Sequence, residues 1–322
     1  MNKRLVVFVT RKLPPAVEDR LRRDYEPRFN AEDRLYSTDE LIDLAQGANV
    51  IVPCHTEKLS ADVIDRLPAS VKAIVCFSVG TDHVDLAAAK ARNIIVTNTP
   101  DVLADATAEI AMLLILGAAR RASEGERLIR AGKWKSWSPA FMVGRQVTGK
   151  RLGIVGMGRV GQVTAQRARG FDMTILYSNR SRLAPGLERG ATYYKTVEAM
   201  LPHCDYLALH CPSTPETHHL LNSERIALLP DGAIVVNTAR GSVIDDEALV
   251  AALKSGKVAA AGLDVFNGEP DNIHPGYREL ENTFLLPHIS SATFETRDAM
   301  GYRALDNLDA IAAGREPHDR VA

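Results

Sequence analysis

Short runs of apolar residues, rich in Val and Ile, alternate along this chain with stretches of helical periodicity. The runs lie at 4–10, 49–54, 71–78 and 94–98, then at 151–156, 173–177, 205–210, 233–237, 259–264 and 283–286. They are apolar at consecutive positions, not at alternate ones. That is the signature of strands buried on both faces, as parallel strands covered by helices are. Punctuation between the runs agrees. Pro14 stands at a helix start, Ser60 stands where an N-cap belongs before "ADVIDRL", and Gly256 closes "DDEALVAALKSG" as a C-cap. A long helix is predicted from about Ala104 to Ile129, and a last one from about Thr293 to Ala313.

Two such alternating series predict an α/β protein with two doubly wound parallel-sheet domains. No strand follows the last helix, so it is expected to pack back on the first domain. The chain then crosses between domains near Pro100 and again near His288. The expected division is 1–99 with 290–322, and 100–289.

Composition narrows the class without deciding it. A length of 322 residues fits two domains of ordinary size, and 46% hydrophobic residues can fill two cores. The net charge is -1, with Lys and Arg spread along the chain. That argues against a nucleic-acid partner. "MNKRLVVFVTRKLPP" has no small-residue cleavage site, and the longest apolar run, Ile110 to Ala119, falls short of a membrane span. A cytoplasmic protein with no membrane partner is expected. Cys54, Cys76, Cys204 and Cys211 form no C-x-x-C pair and read as buried free thiols. No His/Cys/Asp spacing suggests a metal. The adjacent His218 and His219 read as surface residues whose side chains diverge.

"GIVGMGRVGQ" carries the first chemistry. Gly156, Gly158 and Gly161 make G-x-G-x-x-G after an apolar strand and before a helix. The first glycine permits a tight turn, the second lets backbone approach a pyrophosphate, and the third lets helix pack on strand. The amides of Gly158, Arg159 and Val160 would face the phosphates. About twenty residues on, where an acid usually accepts the ribose hydroxyls of NAD, the chain reads "YSNRSR". An acid there would repel the 2′-phosphate of NADP. Ser178 and Asn179 can donate to it, and Arg180 and Arg182 can pair with it. The expected cofactor is NADPH, with NAD second; the alternative for the arginines is a solvated loop.

Three residues follow later strands: Arg240 in "VVNTARG", Glu269 in "GLDVFNGEP" and His288 in "FLLPH". Each alone has a structural explanation. Together, beside a nicotinamide turn, they fit reduction of a 2-oxo acid. Arg240 would grip the carboxylate, His288 would protonate the carbonyl oxygen, and Glu269 would orient His288 and keep it supplied with a proton.

With these pieces in place, the chain resembles the D-isomer-specific 2-hydroxyacid dehydrogenase family over essentially its whole length. "FSVGTDHVDL", "NTPDVLADATAEIAMLLIL", "HCPSTPETHHLLN", "VNTARGSVIDDEALVAAL" and "LPHISSAT" carry the resemblance alongside the stretches already quoted. It implies a flavodoxin-like substrate domain and a Rossmann cofactor domain, with the active site between them. It implies that the amides of Val79 and Gly80 hold the substrate carboxylate beside Arg240. Thr107 should touch the pyrophosphate, and His210, Cys211 and Pro212 should line the adenine side. Thr238 and Asp264 should border the nicotinamide, Asp264 at its carboxamide. Ser290 stands there where members often have Gly. Within the family, "LYSNRSR" resembles the NADPH-using glyoxylate/hydroxypyruvate reductases, with 2-ketogluconate reductases close by. "KWKSWSPAF" resembles a loop that reaches the neighbouring subunit's site, which makes Trp137 a candidate substrate contact and a homodimer the expected assembly. The competing reading is a dinucleotide-sensing, corepressor-like binding protein on the same fold; the complete Arg240, Glu269 and His288 set favours the enzyme.

Overall fold

A computed structural model describes residues 4–322. The chain divides into two compact units, Met1–Leu103 with Ala292–Ala322, and Ala104–Ser291.

The first unit runs β1 (Val6–Val9), α1 (Pro15–Asp24), β2 (Glu26–Phe29), α2 (Thr38–Leu44), β3 (Val50–Val52), α3 (Ala61–Arg66), β4 (Ala73–Val75), α4 (Leu86–Ala91) and β5 (Ile95–Thr97). Its five parallel strands lie in the order β2-β1-β3-β4-β5. β1, β3 and β4 are buried at every position, as their consecutive apolar residues require. β2, "EPRF", was not predicted. It is an edge strand with a half-exposed pattern, and Pro27 is tolerated there because an edge leaves N–H groups unpaired anyway.

The second unit contains α5 (Ala104–Ala119), α6 (Ala122–Arg130), β6 (Arg151–Val155), α7 (Arg159–Arg169), β7 (Thr174–Ser178), α8 (Pro185–Glu188), β8 (Thr192–Tyr194), α9 (Val197–Met200), β9 (Tyr206–Leu209), α10 (Ser223–Leu228), β10 (Ala233–Asn237), α11 (Asp246–Ser255), β11 (Val258–Leu263), α12 (Pro275–Glu279) and β12 (Thr283–Leu285). Seven parallel strands take the order β12-β11-β10-β9-β6-β7-β8. Strand order reverses at β6, between β9 and β7. Ligands bind beside the carboxyl ends of strands at such a switch. The short edge strand β8 was again missed by the apolar pattern, for the same reason as β2.

The helix predicted from Ala104 to Ile129 is two helices. α5 is apolar nearly all round and buried in the core beside Leu152, Ile154 and Val236. At Arg121 the backbone turns left-handed, with φ 54°, and the guanidinium forks onto Glu124 at 2.8 and 2.7 Å. The polar α6 then leaves the core with no buried residue.

α13 (Phe294–Ala312) belongs to the first unit. Thr293 caps it, and Met300, Ala304, Leu305 and Leu308 pack against Val7, Val52, Val75 and Phe77. Among the described residues, no helix is long and apolar enough to cross a membrane.

Candidate active site

The glycine turn has the geometry its spacing demands. Gly156 sits at φ +93°, and a Cβ there would come 2.6 Å from the Cys211 nitrogen. A Cβ on Gly161 would come 2.4 Å from the Gly156 carbonyl oxygen, which is the tight helix-on-strand approach. Gly158 differs: nothing lies within 4 Å of where its Cβ would be. That is the open space a pyrophosphate needs. Gly158 is the N-cap of α7, so the first-turn amides, Arg159 and Val160 included, have no intrahelical acceptors. Two buried polar atoms nearby in the chain's logic are orphaned: the Thr107 hydroxyl on α5 and the His210 Nε2 after β9 have no hydrogen-bond partner in the structure. Orphans of this kind cost free energy unless a ligand completes them. The residues present therefore fit a bound dinucleotide.

The loop after β7 divides its residues unequally. Ser178 is buried, and its carbonyl accepts from Gly156 at 3.1 Å. Asn179 turns back to the glycine turn, its Oδ1 accepting from the Met157 amide at 2.7 Å. Arg182 forks onto Glu188 at 2.8 and 3.1 Å, and the same carboxylate accepts from the Tyr177 hydroxyl at 2.6 Å. Arg182 is thus already paired with an acid, which the sequence did not announce. Arg180 is exposed and makes no hydrogen bond or ion pair among the described residues.

The three strand-end residues are set by adjacent strands of one sheet. β10 leads to Arg240. The buried Asn237 accepts from the Ala239 amide through Oδ1 at 2.9 Å and donates through Nδ2 to the Arg240 carbonyl at 2.9 Å, which fixes the turn. Arg240 Nη1 donates to the Ala239 carbonyl at 2.8 Å. β11 leads to Asp264 and Glu269. Glu269 Oε2 accepts from the Phe266 amide at 2.9 Å, and Oε1 lies 2.5 Å from His288 Nδ1. With a carboxylate as acceptor, Nδ1 carries a hydrogen. His288 itself is left-handed, at φ 55°, a conformation that needs support.

Asp264 supplies that support. It is fully buried, and its two oxygens accept from the amides of Ile289 and Ser290 at 2.8 and 2.9 Å. Burial pushes its carboxyl above the ordinary range, against the pull of those amides. Each oxygen keeps a second lone pair, so a carboxamide contact remains chemically open. Beside this edge, Thr238 Oγ1 bonds His210 Nδ1 at 3.0 Å, and burial pushes His210 down to about 4. His210 is a neutral ring at pH 7.

In the first unit, the loop after β4 presents the Val79–Gly80 amides. The carbonyls of Ser78, Val79 and Gly80 are taken by Thr99 N, Asn98 Nδ2 and Ser78 Oγ, each at 2.8 Å. The Val79 and Gly80 N–H groups have no acceptor among the described residues, and so form a small donor nest. Pro212 is exposed behind Cys211, and Trp137 is 74% exposed in the 131–145 segment. His218 and His219 are exposed as expected, but their rings stack at 4.0 Å instead of diverging, because His219 takes φ 48°.

Sequence reasoning missed Asn237 and the bracing role of Asp264. An Asn at a strand end before a turn is a weak signal for such backbone bonding, and nothing in spacing marks Asp264 as the residue that holds the His288 loop.

A Rossmann sheet with a glycine turn and an Arg/Glu/His strand-end set defines a nicotinamide-dependent oxidoreductase. Residues 112–290 match the family model for the D-isomer specific 2-hydroxyacid dehydrogenase, NAD binding domain. The chain is 45% identical over 312 residues to the glycerate dehydrogenase of Hyphomicrobium methylovorum, covering 96% of this chain and 97% of that protein. It is 39% identical over 315 residues to the glyoxylate reductase of Pyrococcus furiosus, covering 97% and 93%. The crystal structure of an NADPH-dependent glyoxylate/hydroxypyruvate reductase from Sinorhizobium meliloti, in complex with NADP and malonate, superposes with a TM-score of 0.85 at 33% identity, covering 99% and 97%. The chain belongs to the D-isomer-specific 2-hydroxyacid dehydrogenase family, in the company of its glyoxylate/hydroxypyruvate reductase branch, and is an oxidoreductase acting between 2-oxo and 2-hydroxy acids.

Proposed function

We propose that this enzyme uses NADPH to reduce a small 2-oxo acid, namely glyoxylate, hydroxypyruvate or 2-ketogluconate, to the D-2-hydroxy acid. The observation that carries the reading is the 2.5 Å contact between His288 Nδ1 and Glu269, one strand from Arg240. When bound, the cofactor supplies a hydride to C2. The residues of this chain do the rest. Arg240 holds the carboxylate through its planar fork, and the outward amides of Val79 and Gly80 offer a second anchor of the same kind. His288 gives the Nε2 proton to the carbonyl oxygen as charge develops there. Glu269 holds the imidazolium and restores its proton from solvent. Thr107, Thr238, Asp264 and Ser290 bind the cofactor, as do the glycine turn and the His210–Pro212 segment.

The NADPH preference rests on the missing acid after β7 and on Arg180, the exposed cation that makes no hydrogen bond or salt bridge there. Ser178 and Asn179 contribute mainly by shaping the loop. The neighbour solved with NADP lends support. A cytoplasmic homodimer completes the proposal. α6 buries nothing, Ile129 and Val143 are 63% and 64% exposed, and a groove of about 680 Å³ runs between Gly117, Val143, Leu280 and Phe284. A second copy would cover these, with Trp137 as the residue it shares.

NADPH consumption on adding glyoxylate or hydroxypyruvate tests the function. Turnover with NADPH above that with NADH is expected. Cofactor binding without turnover of any 2-oxo acid would overturn the enzyme reading in favour of a dinucleotide sensor. Sedimentation as a monomer at micromolar concentration would overturn the dimer.

A further inference from the structure

One cation in the first unit is used by nothing described so far. Arg297 lies in the first turn of α13 and is half-buried; one turn further on, Met300 belongs to the apolar cluster of Val52, Val75 and Phe77, against which Cys54 packs. Its side chain makes no hydrogen bond and no ion pair among the described residues. Most arginines of this protein are paired: Arg11 with Asp33, Arg20 with Asp309 and Arg303 with Asp319 are examples from the same unit. A guanidinium taken out of water normally has such a partner, because desolvation without one is costly.

The groups around Arg297 do not supply one. Cys54, which follows β3, is its electrostatic neighbour, and burial pushes that thiol up to about 12, so it is neutral. The acid beside Cys54 is Glu57, and its carboxylate is already occupied. Oε2 accepts from the Cys54 amide at 2.7 Å and from the Thr10 hydroxyl at 2.8 Å, while Oε1 accepts from Thr56 at 2.8 Å. Burial without an acid pulls Arg297 below its ordinary value.

Its place in the fold says what could complete it. β3 and β4 are adjacent parallel strands, and the Phe77 amide bonds the Pro53 carbonyl at 2.8 Å just beyond them. Cys54 and the Val79–Gly80 nest are therefore neighbours along one sheet edge, since adjacent strands lie about 4.8 Å apart. A ligand held by that nest therefore lies at the same sheet edge as Cys54, the neighbour of Arg297.

We propose that Arg297 is a specificity residue that takes an oxygen on the carbon beyond the carbonyl of the 2-oxo acid. It thereby favours hydroxypyruvate-type substrates, with an oxygen on C3, over pyruvate, with a methyl group there. The proposal rests on the reading of the protein as a 2-oxo acid reductase. It differs from the role of Arg240, which serves the carboxylate common to all these acids.

The test compares hydroxypyruvate with pyruvate in wild type, Arg297→Lys and Arg297→Gln, using one cofactor. Wild type should prefer hydroxypyruvate. Gln should lower the hydroxypyruvate/pyruvate ratio of kcat/KM by roughly 10- to 100-fold, the scale of a charge-assisted hydrogen bond, mostly through KM. Lys should restore part of that ratio. A ratio unmoved in both variants, or parallel losses on both substrates, would overturn the assignment. Melting temperatures of the three proteins separate a folding defect from lost recognition. If wild type turned over no 2-oxo acid, the reductase reading would fail. Arg297 would then be judged by calorimetric binding of D-glycerate against D-lactate, and an equal affinity of wild type for the two would overturn the proposal.

Discussion

Two places in the second unit lie at strand ends of the same sheet and are built on different terms. At the β10–β12 edge each candidate reacting group has a bonded neighbour that sets it. Asn237 fixes the Arg240 turn, Glu269 fixes His288, and the fully buried Asp264 fixes the backbone that carries His288. In the loop after β7 the polar groups mostly serve the loop itself, and the exposed Arg180 makes no hydrogen bond or salt bridge. The difference suits what the proposed function asks of each place. Proton transfer and carboxylate capture need atoms held in place before substrate arrives, which takes a second layer of hydrogen bonds. Discrimination of a phosphate needs charge more than position, and one flexible cation suffices.

If the β10–β12 edge is the preorganised one, the largest losses come from it. His288→Asn should slow 2-oxo acid reduction by roughly 10²–10⁴ while cofactor affinity, read by fluorescence titration, stays close to wild type. A variant with near-normal kcat would move the proton donor elsewhere. Arg240→Lys keeps the charge and loses the fork. It should lower kcat/KM by roughly 10- to 100-fold, with KM raised and kcat lowered together. An effect confined to cofactor affinity would place Arg240 at the wrong ligand.

The contrast also explains what could be read from sequence. Strands buried on both faces announced themselves as continuous apolar runs, and the glycine turn did so through its spacing; both reflect local constraints. β2 and β8 lie at sheet edges, where one side faces water and "EPRF" or "TYY" need not be apolar. Arg240, Glu269 and His288 could be grouped as candidates from sequence because their chemistry is complementary. Their braces could not, because Asn237 and Asp264 act on backbone amides, and backbone partners carry no side-chain signature. The ion pair of Arg182 was not foreseen, for a related reason. Its partner Glu188 belongs to the four-residue α8, and only the folded loop brings the two together.

A neutral buried ring at the preorganised edge has a pH consequence. Burial holds His210 at about 4, below its ordinary 6.5. Between those values the unfolded chain binds a proton that the folded chain does not. Stability therefore falls as pH drops through that window, and His210 adds no slope above it. The loss should be on the order of 1–3 kcal/mol. His210→Gln should flatten the difference between urea midpoints at pH 4.5 and pH 7. An acid limb as steep as that of wild type would mean that the ring is solvated when folded.

The smallest expected effects lie in the loop after β7, and they test whether its two arginines do different jobs. Arg180→Gln removes the exposed cation. It should lower the NADPH/NADH ratio of kcat/KM by roughly tenfold, one charged contact discounted for exposure. That loss should shrink with added salt, because an exposed pair is screened. Arg182→Gln removes a guanidinium whose side chain is 63% exposed and whose partner Glu188 keeps the Tyr177 hydroxyl. It should shift the urea midpoint only slightly and leave the cofactor ratio within about twofold. The double variant should then match Arg180→Gln in cofactor ratio. If instead Arg182→Gln alone lowered the ratio tenfold, the Glu188 fork must open to release Arg182 to the phosphate, and the loop would be a second preorganised site rather than a single cation on a brace.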